Sequence, residues 1–136
     1  MHYIKNYSIM SKHKMKKNDS LLIVGYSFSD DHINAELMRI RQMHGNKIRV
    51  IIISYLPKDV KDKWYSDSEI KNWPTDNEYR IITYLMGNEV AELFNTFEPP
   101  KNDFVESKDK CVRWYLCGFK TAVIKHKAEI INFLTL

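Results

Sequence analysis

The sequence contains few of the residues that form tight turns or cross-links, namely glycine, proline and cysteine. It has 136 residues, of which four are glycine, four proline and two cysteine. An all-β sandwich needs many tight turns, so this scarcity favours helices joined to a few buried strands. Cys111 and Cys117 match no zinc or redox spacing. We therefore expect two reduced, partly buried thiols and no metal site.

Long apolar runs and concentrated charge are also scarce. No run of about 18 apolar residues occurs, and the N-terminus lacks the apolar core of a signal peptide. We therefore expect a cytoplasmic protein with no membrane partner. The net charge is +4, and its densest part is the lysine cluster within residues 12–17. This charge falls short of a nucleic-acid footprint, so we interpret the cluster as a solvated segment.

Two apolar runs flank a helical pattern and predict a parallel β–α–β unit. Residues 21–24, LLIV, form an unbroken apolar run typical of a strand that is buried on both faces. Ser29 or Asp30 can cap a helix that stops at Gly45, and residues 47–54 predict the second strand. The crossover is long enough to join parallel neighbours in a right-handed unit.

The rest of the chain predicts one more strand and several helices. Residues 80–85, RIITYL, are interpreted as a third strand, and Pro57 can begin a short helix. Asn88 can cap a helix that continues to residue 97. Residues 108–119 and 121–134 predict a pair of helices around Gly118. 

These elements predict an α/β fold, a partial Rossmann-like three-layer α/β/α unit with a short parallel sheet and a helical C-terminal tail. We divide the chain into a basic N-terminal segment, a Rossmann-like half-domain and a tail that packs on it. The corresponding ranges are residues 1–20, 21–97 and 98–136.

The segment with the clearest functional signal joins the first strand to its helix. Open parallel sheets bind ligands where their strands end, and Gly25 allows close approach because it lacks a Cβ. Ser27 offers a hydroxyl and an amide, and the helix start adds unpaired N–H groups. Asp30 and Asp31 would repel a bare phosphate, so ribose hydroxyls or a protein partner suit them better. Simple helix capping is the alternative interpretation of both carboxylates.

Residues 21–34, LLIVGYSFSDDHIN, resemble the motif of sirtuin-like (silent-information-regulator-like) domains. That motif is an apolar strand followed by G-Y-S-F-G-D-x-H-I-N, and it occurs in bacterial anti-phage defence proteins and their relatives. The matching residues are Gly25, Tyr26, Ser27, Phe28, Asp30, His32, Ile33 and Asn34. Ser29 stands where glycine is usual, and Ser54 ends the next strand where sirtuins tend to place an asparagine near the adenosine.

The resemblance implies a Rossmann-like fold that binds NAD and a family activity that cleaves NAD at the nicotinamide–ribose bond. Some relatives instead sense nucleotides. By this resemblance Gly25, Tyr26 and Ser27 line the phosphate and ribose region, while Asp30 and His32 hold the turn or touch ribose. The predicted binding residues for NAD or an ADP-ribose-type nucleotide are Gly25, Tyr26, Ser27, Phe28, Asp30, His32 and Ser54.

The resemblance also places a glycine-rich loop, a catalytic asparagine and a catalytic histidine before this motif. Only 20 residues precede Leu21, and we find there no strand followed by such a loop. His2 and His13 lack a recognisable catalytic context. We therefore expect the C-terminal half of the family's domain, with no catalytic residue and no activity on its own.

Besides nucleic-acid binding through the lysine cluster, which is only weakly supported, two other classes of function stay open. An interaction module or split subunit would complete a second chain's domain or form a homo-oligomer, because a halved sheet exposes strand edges. Trp114, Tyr115 and Phe119 would then form an interface, although they suit the protein's own core as well. Metal-dependent phosphate-ester hydrolysis through residues 30–32 is less well supported, since the sequence offers no second ligand cluster.

Overall fold

A computed structural model describes residues 2–4, 19–26, 28–54, 75–95 and 102–135. The strands are β1 (His2–Ile4), β2 (Ser20–Val24), β3 (Arg49–Ile53), β4 (Phe104–Glu106) and β5 (Val112–Tyr115). The helices are α1 (Asp31–His44), α2 (Asp76–Met86), α3 (Asn88–Asn95) and α4 (Phe119–Thr135). The strands form one sheet in the order β1-β2-β3-β5-β4.

The first four strands in that order are parallel, and β4 alone runs antiparallel to its neighbour β5. Val24 of β2 is paired with Ile53 of β3, and Ile53 is paired with Tyr115 of β5. The carboxyl ends of β2, β3 and β5 therefore meet at one edge of the sheet, as the predicted β–α–β unit requires. The α/β prediction with a largely parallel sheet is confirmed.

Helices cover both faces of the sheet, and each face buries its own apolar cluster. Helices α1, α2 and α3 pack on one face, which includes Ile23, Ile52 and Trp114. Helix α4 packs on the other face, against Ile51 and Ile53. Since successive strand residues point to opposite faces, the unbroken apolar runs of β2 and β3 supply both clusters. The result is the predicted α/β/α sandwich.

Helix α1 begins and ends where the sequence predicts. The carboxylate of Asp30 accepts hydrogen bonds from the N–H groups of His32 and Ile33, so Asp30 is the N-cap. Gly45 follows the last helical residue at φ +53°, a conformation that residues with a Cβ adopt rarely. 

Two local predictions are wrong. Residues 80–85 lie inside α2 and do not form a strand, because Thr75 and Glu78 form a capping box that begins a helix at Asp76. Residues 108–119 contain β5 instead of a helix. A strand does precede Leu21, since β1 pairs in parallel with β2. The predicted absence of a glycine-rich loop after such a strand concerns residues 5–18, which lie outside the described residues.

Other predictions are not tested by the described residues. The lysine cluster and the short helix at Pro57 lie outside them, and the division into three segments stays a prediction. Cys111 and Cys117 are buried thiols that form no disulfide, as expected. Among the described helices, none combines the length and apolar character needed to cross a membrane.

Candidate functional site

The candidate site begins at Gly25, where the chain leaves β2 at the carboxyl edge of the sheet. Gly25 donates its N–H to the carbonyl of Ile53 at 2.7 Å and has φ +76°. The residue is exposed, and a Cβ built on it would meet no atom within 4 Å. The backbone here is thus open to a ligand from the side where a side chain would stand.

The side chains of Tyr26 and Asn34 stabilise the turn between β2 and α1. Tyr26 is only 2% exposed, and its hydroxyl contacts Asn34 Oδ1 and lies 3.0 Å from the carbonyl oxygen of Asp30. Asn34 Nδ2 donates to the carbonyl of Phe28 at 2.9 Å. Phe28 has φ +64°, a left-handed conformation that costs energy for a residue with a Cβ. The Asn34 amide stabilises that strained turn.

Asp30, Asp31 and His32 have separate surroundings at the start of α1. Asp30 caps the helix, which confirms the capping interpretation for that carboxylate. Asp31 is exposed and accepts a hydrogen bond from Asn77 Nδ2 at 3.2 Å. His32 is exposed as well. Within the described part of the chain these three side chains do not gather their ligand atoms, which disfavours the metal-hydrolysis alternative.

Ser54 faces the interior at the end of β3. Its hydroxyl donates to the carbonyl of Tyr26 and accepts a hydrogen bond from Trp114 Nε1 at 2.9 Å. The Phe28 ring meets Trp114 edge to face, with the centroids 4.9 Å apart. The buried Ser54 hydroxyl therefore links Tyr26 of the motif to Trp114 of β5.

A second helix start lies beside the motif. Ser29 Oγ donates to Glu78 Oε2 at 3.0 Å, while Glu78 Oε1 accepts from the backbone N–H of Thr75. The N-terminal ends of α1 and α2 therefore flank the loop, and both ends carry partial positive charge. Sequence reasoning missed Glu78, although the spacing of Thr75 and Glu78 fits a capping box.

The structure divides the predicted binding residues into two groups. Gly25 and His32 are exposed, whereas Tyr26, Phe28 and Ser54 are buried and hold the turn. Ser27 lies outside the described residues. Nucleotide contact by any of them stays a prediction. Sequence reasoning named Trp114 only as an interface or core residue and missed its contacts with Ser54 and Phe28 at the motif.

Trp114 and Tyr115 do not form an interface in the described structure. Both are fully buried, while Phe119 at the start of α4 is 51% exposed. The first two aromatic residues therefore belong to the protein's own core, which was the second interpretation of this segment.

A separate cavity of about 310 Å³ lies near the C-terminal end of α1, away from the motif. It is lined in part by Arg41, Ser107 and Asp109. Arg41 pairs with the Asp109 carboxylate at 2.5 Å, so the main opposite charges in its wall neutralise each other. 

The comparisons with known proteins agree with the resemblance seen in the motif. The family model of the SIR2-like domain matches residues 3–80. This range runs from within β1 through β2, α1 and β3 to the start of α2. No curated protein and no solved structure gives a significant match. The family match takes in more than half of the 136 residues, and the chain belongs to the SIR2-like domain family.

Proposed function

We propose that the chain binds NAD or an ADP-ribose-type nucleotide at the carboxyl edge of the sheet, beside Gly25. The observation that carries this proposal is the exposed backbone of Gly25, with open space where a Cβ would stand. The site lies at the end of a parallel strand and at the start of α1, which is the usual ligand position in open α/β sheets. Membership of a family that is generally NAD-related supports the same ligand.

The charges at the site favour the ribose over a bare phosphate. Exposed Asp31 adds a carboxylate to the first turn of α1, and Asp30 already occupies two of the helix N–H groups. A carboxylate accepts hydrogen bonds from ribose hydroxyls but repels a phosphate. In this proposal the phosphates pack against the open Cα side of Gly25, whose N–H is bonded to the Ile53 carbonyl, and Asp31 or His32 meets a ribose.

Cleavage of NAD and a role in anti-phage defence belong to the family resemblance, and we propose them only for an assembly that supplies the remaining machinery. We expect the chain alone to bind nucleotide without releasing nicotinamide. The reason is that the resemblance assigns cleavage to a glycine-rich loop and a histidine that we did not recognise in the sequence. Release of nicotinamide by the purified chain would contradict this expectation.

Calorimetric titration with NAD and with ADP-ribose tests the binding proposal. Gly25→Ala should weaken binding by about tenfold or more, because the new methyl group enters the space assigned to the phosphates. Gly45→Ala is a matched control, since Gly45 also has a positive φ and open space but lies at the other end of α1. Absence of binding by the unmodified chain, or equal effects of the two substitutions, would overturn the proposal.

A second candidate function is self-association through the outer face of α4. Ile124 is 71% exposed and Ile131 is 49% exposed, with the exposed Ala128 between them. These residues follow the i, i+4, i+7 spacing by which two helices pack, and a symmetric dimer needs only one such surface. The occupant we propose is therefore a second copy of this chain.

Sedimentation velocity over a range of protein concentrations tests the second candidate. We expect a dimer that Ile124→Glu dissociates. Met43→Glu is the matched control, because Met43 is 63% exposed on α1 and lies outside the α4 face. A monomer at all concentrations would reject self-association and would leave a different partner chain to account for this face.

A further inference from the structure

Three potential metal ligands converge at the carboxyl edge of the sheet, on the α4 side. Asp103 precedes β4, Cys117 follows β5, and His126 lies in α4. One ligand atom from each residue lies within 4.8 Å of the other two. The β4–β5 register explains the proximity of Asp103 and Cys117. Phe104 pairs with Tyr115, so Asp103, just before Phe104, and Cys117, two positions after Tyr115, extend beyond the same edge.

Both nitrogens of His126 face carboxylates. Nδ1 contacts Glu129 Oε1, and Nε2 lies 2.8 Å from Asp103 Oδ2. A neutral imidazole has one N–H, so a ring that donates from Nδ1 to Glu129 turns its Nε2 lone pair toward Asp103. The Nε2 lone pair and the Asp103 carboxylate are then both acceptors, so a cation has to lie between them. That cation is either a second ring proton or a metal ion. 

The sulfur of Cys117 favours the metal ion. A proton shared by His126 and Asp103 needs only those two groups, whereas the Cys117 sulfur, within 4.8 Å of a ligand atom of each, supplies a third metal ligand. Cysteine sulfur, histidine nitrogen and aspartate oxygen are the three ligand types that zinc takes in proteins. 

The surroundings of the cluster resemble the outer layer of a metal site. Glu129 orients His126 from the side opposite Asp103, as carboxylates commonly do for metal-bound histidines. Tyr115 in turn donates its hydroxyl to Glu129 Oε1 at 3.0 Å and packs its ring 5.2 Å from the ring of His126. Cys117 is buried, while the Asp103 and His126 side chains are 18% and 19% exposed. The partial exposure of Asp103 and His126 leaves a route by which an ion and a water can reach the cluster.

We propose that Asp103, Cys117 and His126 form a site for a zinc-type divalent cation, with one position left to water. On binding, the Cys117 thiol loses its proton to solvent and the thiolate bonds to the metal. Tetrahedral bonds of about 2.1 Å hold nitrogen and oxygen ligands about 3.4 Å apart. The Asp103 oxygen and the His126 nitrogen therefore separate by roughly half an ångström from their present 2.8 Å.

Titration of the full, reduced chain with Co²⁺ tests the proposal, because a thiolate bound to Co²⁺ gives a charge-transfer band in the near ultraviolet. We expect the band to saturate at one equivalent and to disappear when Zn²⁺ is added. Cys117→Ala should abolish it. Cys111→Ala is the matched control, since Cys111 is the other buried thiol and immediately precedes β5, at the end of the strand opposite Cys117.

Two further measurements keep the test independent of whether Cys117→Ala folds. Zinc-edge X-ray absorption of the unmodified chain should show one sulfur at about 2.3 Å with nitrogen or oxygen neighbours. Glu129→Gln should weaken Zn²⁺ affinity by about 10- to 100-fold. Absence of the band, absence of sulfur from the zinc shell, or loss of the band in Cys111→Ala would each overturn the proposal.

Discussion

The Ser29 hydroxyl donates a hydrogen bond to the Glu78 carboxylate at 3.0 Å, and 49 positions separate the two residues along the chain. Glu78 is 7% exposed and also closes the capping box of α2 with Thr75. One carboxylate therefore sets the start of α2 and fixes the loop that enters α1. This contact couples the candidate nucleotide loop to an element beyond the β–α–β unit.

A double-mutant cycle on Ser29→Ala and Glu78→Gln should give a coupling energy of about 1 kcal/mol, because the bond joins a hydroxyl to a carboxylate. Urea unfolding of the four proteins measures it. Glu89→Gln, in the exposed first turn of α3, serves as the control and should show no coupling to Ser29→Ala. Additive effects of the first pair would show that this contact contributes nothing to stability.

The β–α–β unit was predictable because its signals are local. The strand of LLIV, the Asp30 cap and the Gly45 stop each depend on a few consecutive residues, and all three are confirmed. Residues 80–85 were misassigned because a short apolar run suits a buried strand and a buried helix equally well. The capping box of Thr75 and Glu78 was the signal that distinguishes them.

Other parts of the structure depend on contacts that no local pattern reveals. Residues of β5 carry apolar side chains on both faces because helices cover the sheet on both sides, and this hides the alternation expected of a strand. The buried role of Ser54 depends on Trp114, which is 60 positions away. Asp103, Cys117 and His126 likewise meet only through the β4–β5 register and the packing of α4 on the sheet, so their spacing resembles no metal motif.

Asn34→Ala should destabilise the protein by about 2 kcal/mol, because it leaves the Phe28 carbonyl and the Tyr26 hydroxyl without this partner inside the protein. Thermal or urea unfolding measures the loss. Asn34→Asp keeps the acceptor for Tyr26 but removes the donor to Phe28, so its effect separates the two bonds. An unchanged unfolding midpoint in Asn34→Ala would show that the left-handed turn at Phe28 holds without the amide.

The Asp109 carboxylate should make stability depend on pH in the acidic range. Burial alone would raise its pKa, but hydrogen bonds from Ser107, Arg41 and the backbone of Cys111 outweigh it and hold the pKa below 3.8. A lowered pKa in the folded state adds stability above the ordinary pKa of the unfolded chain. That contribution is lost as the pH falls through the folded-state value.

Asp109→Asn should therefore lower the unfolding midpoint at neutral pH, and its difference from the unmodified chain should shrink below pH 3.8. Urea unfolding across a pH series checks this. Glu89→Gln, on the exposed first turn of α3, is the control for a general charge effect. A difference that stays constant or grows with acidity would show that the Asp109 contacts do not depend on its charge.

Ser54→Ala distinguishes a structural from a nucleotide-binding role at the end of β3. If Ser54 acts as the structure indicates, the substitution leaves Trp114 Nε1–H and the Tyr26 carbonyl without their buried partner and costs about 2 kcal/mol. Trp114→Phe added to Ser54→Ala should cost less than the sum of the two single effects, because the indole N–H that loses its Ser54 acceptor is then removed. Urea unfolding measures both effects on stability. Calorimetry with ADP-ribose measures the affinity of Ser54→Ala for nucleotide. Full stability together with a loss of nucleotide affinity would instead assign Ser54 to the ligand, as the resemblance implies.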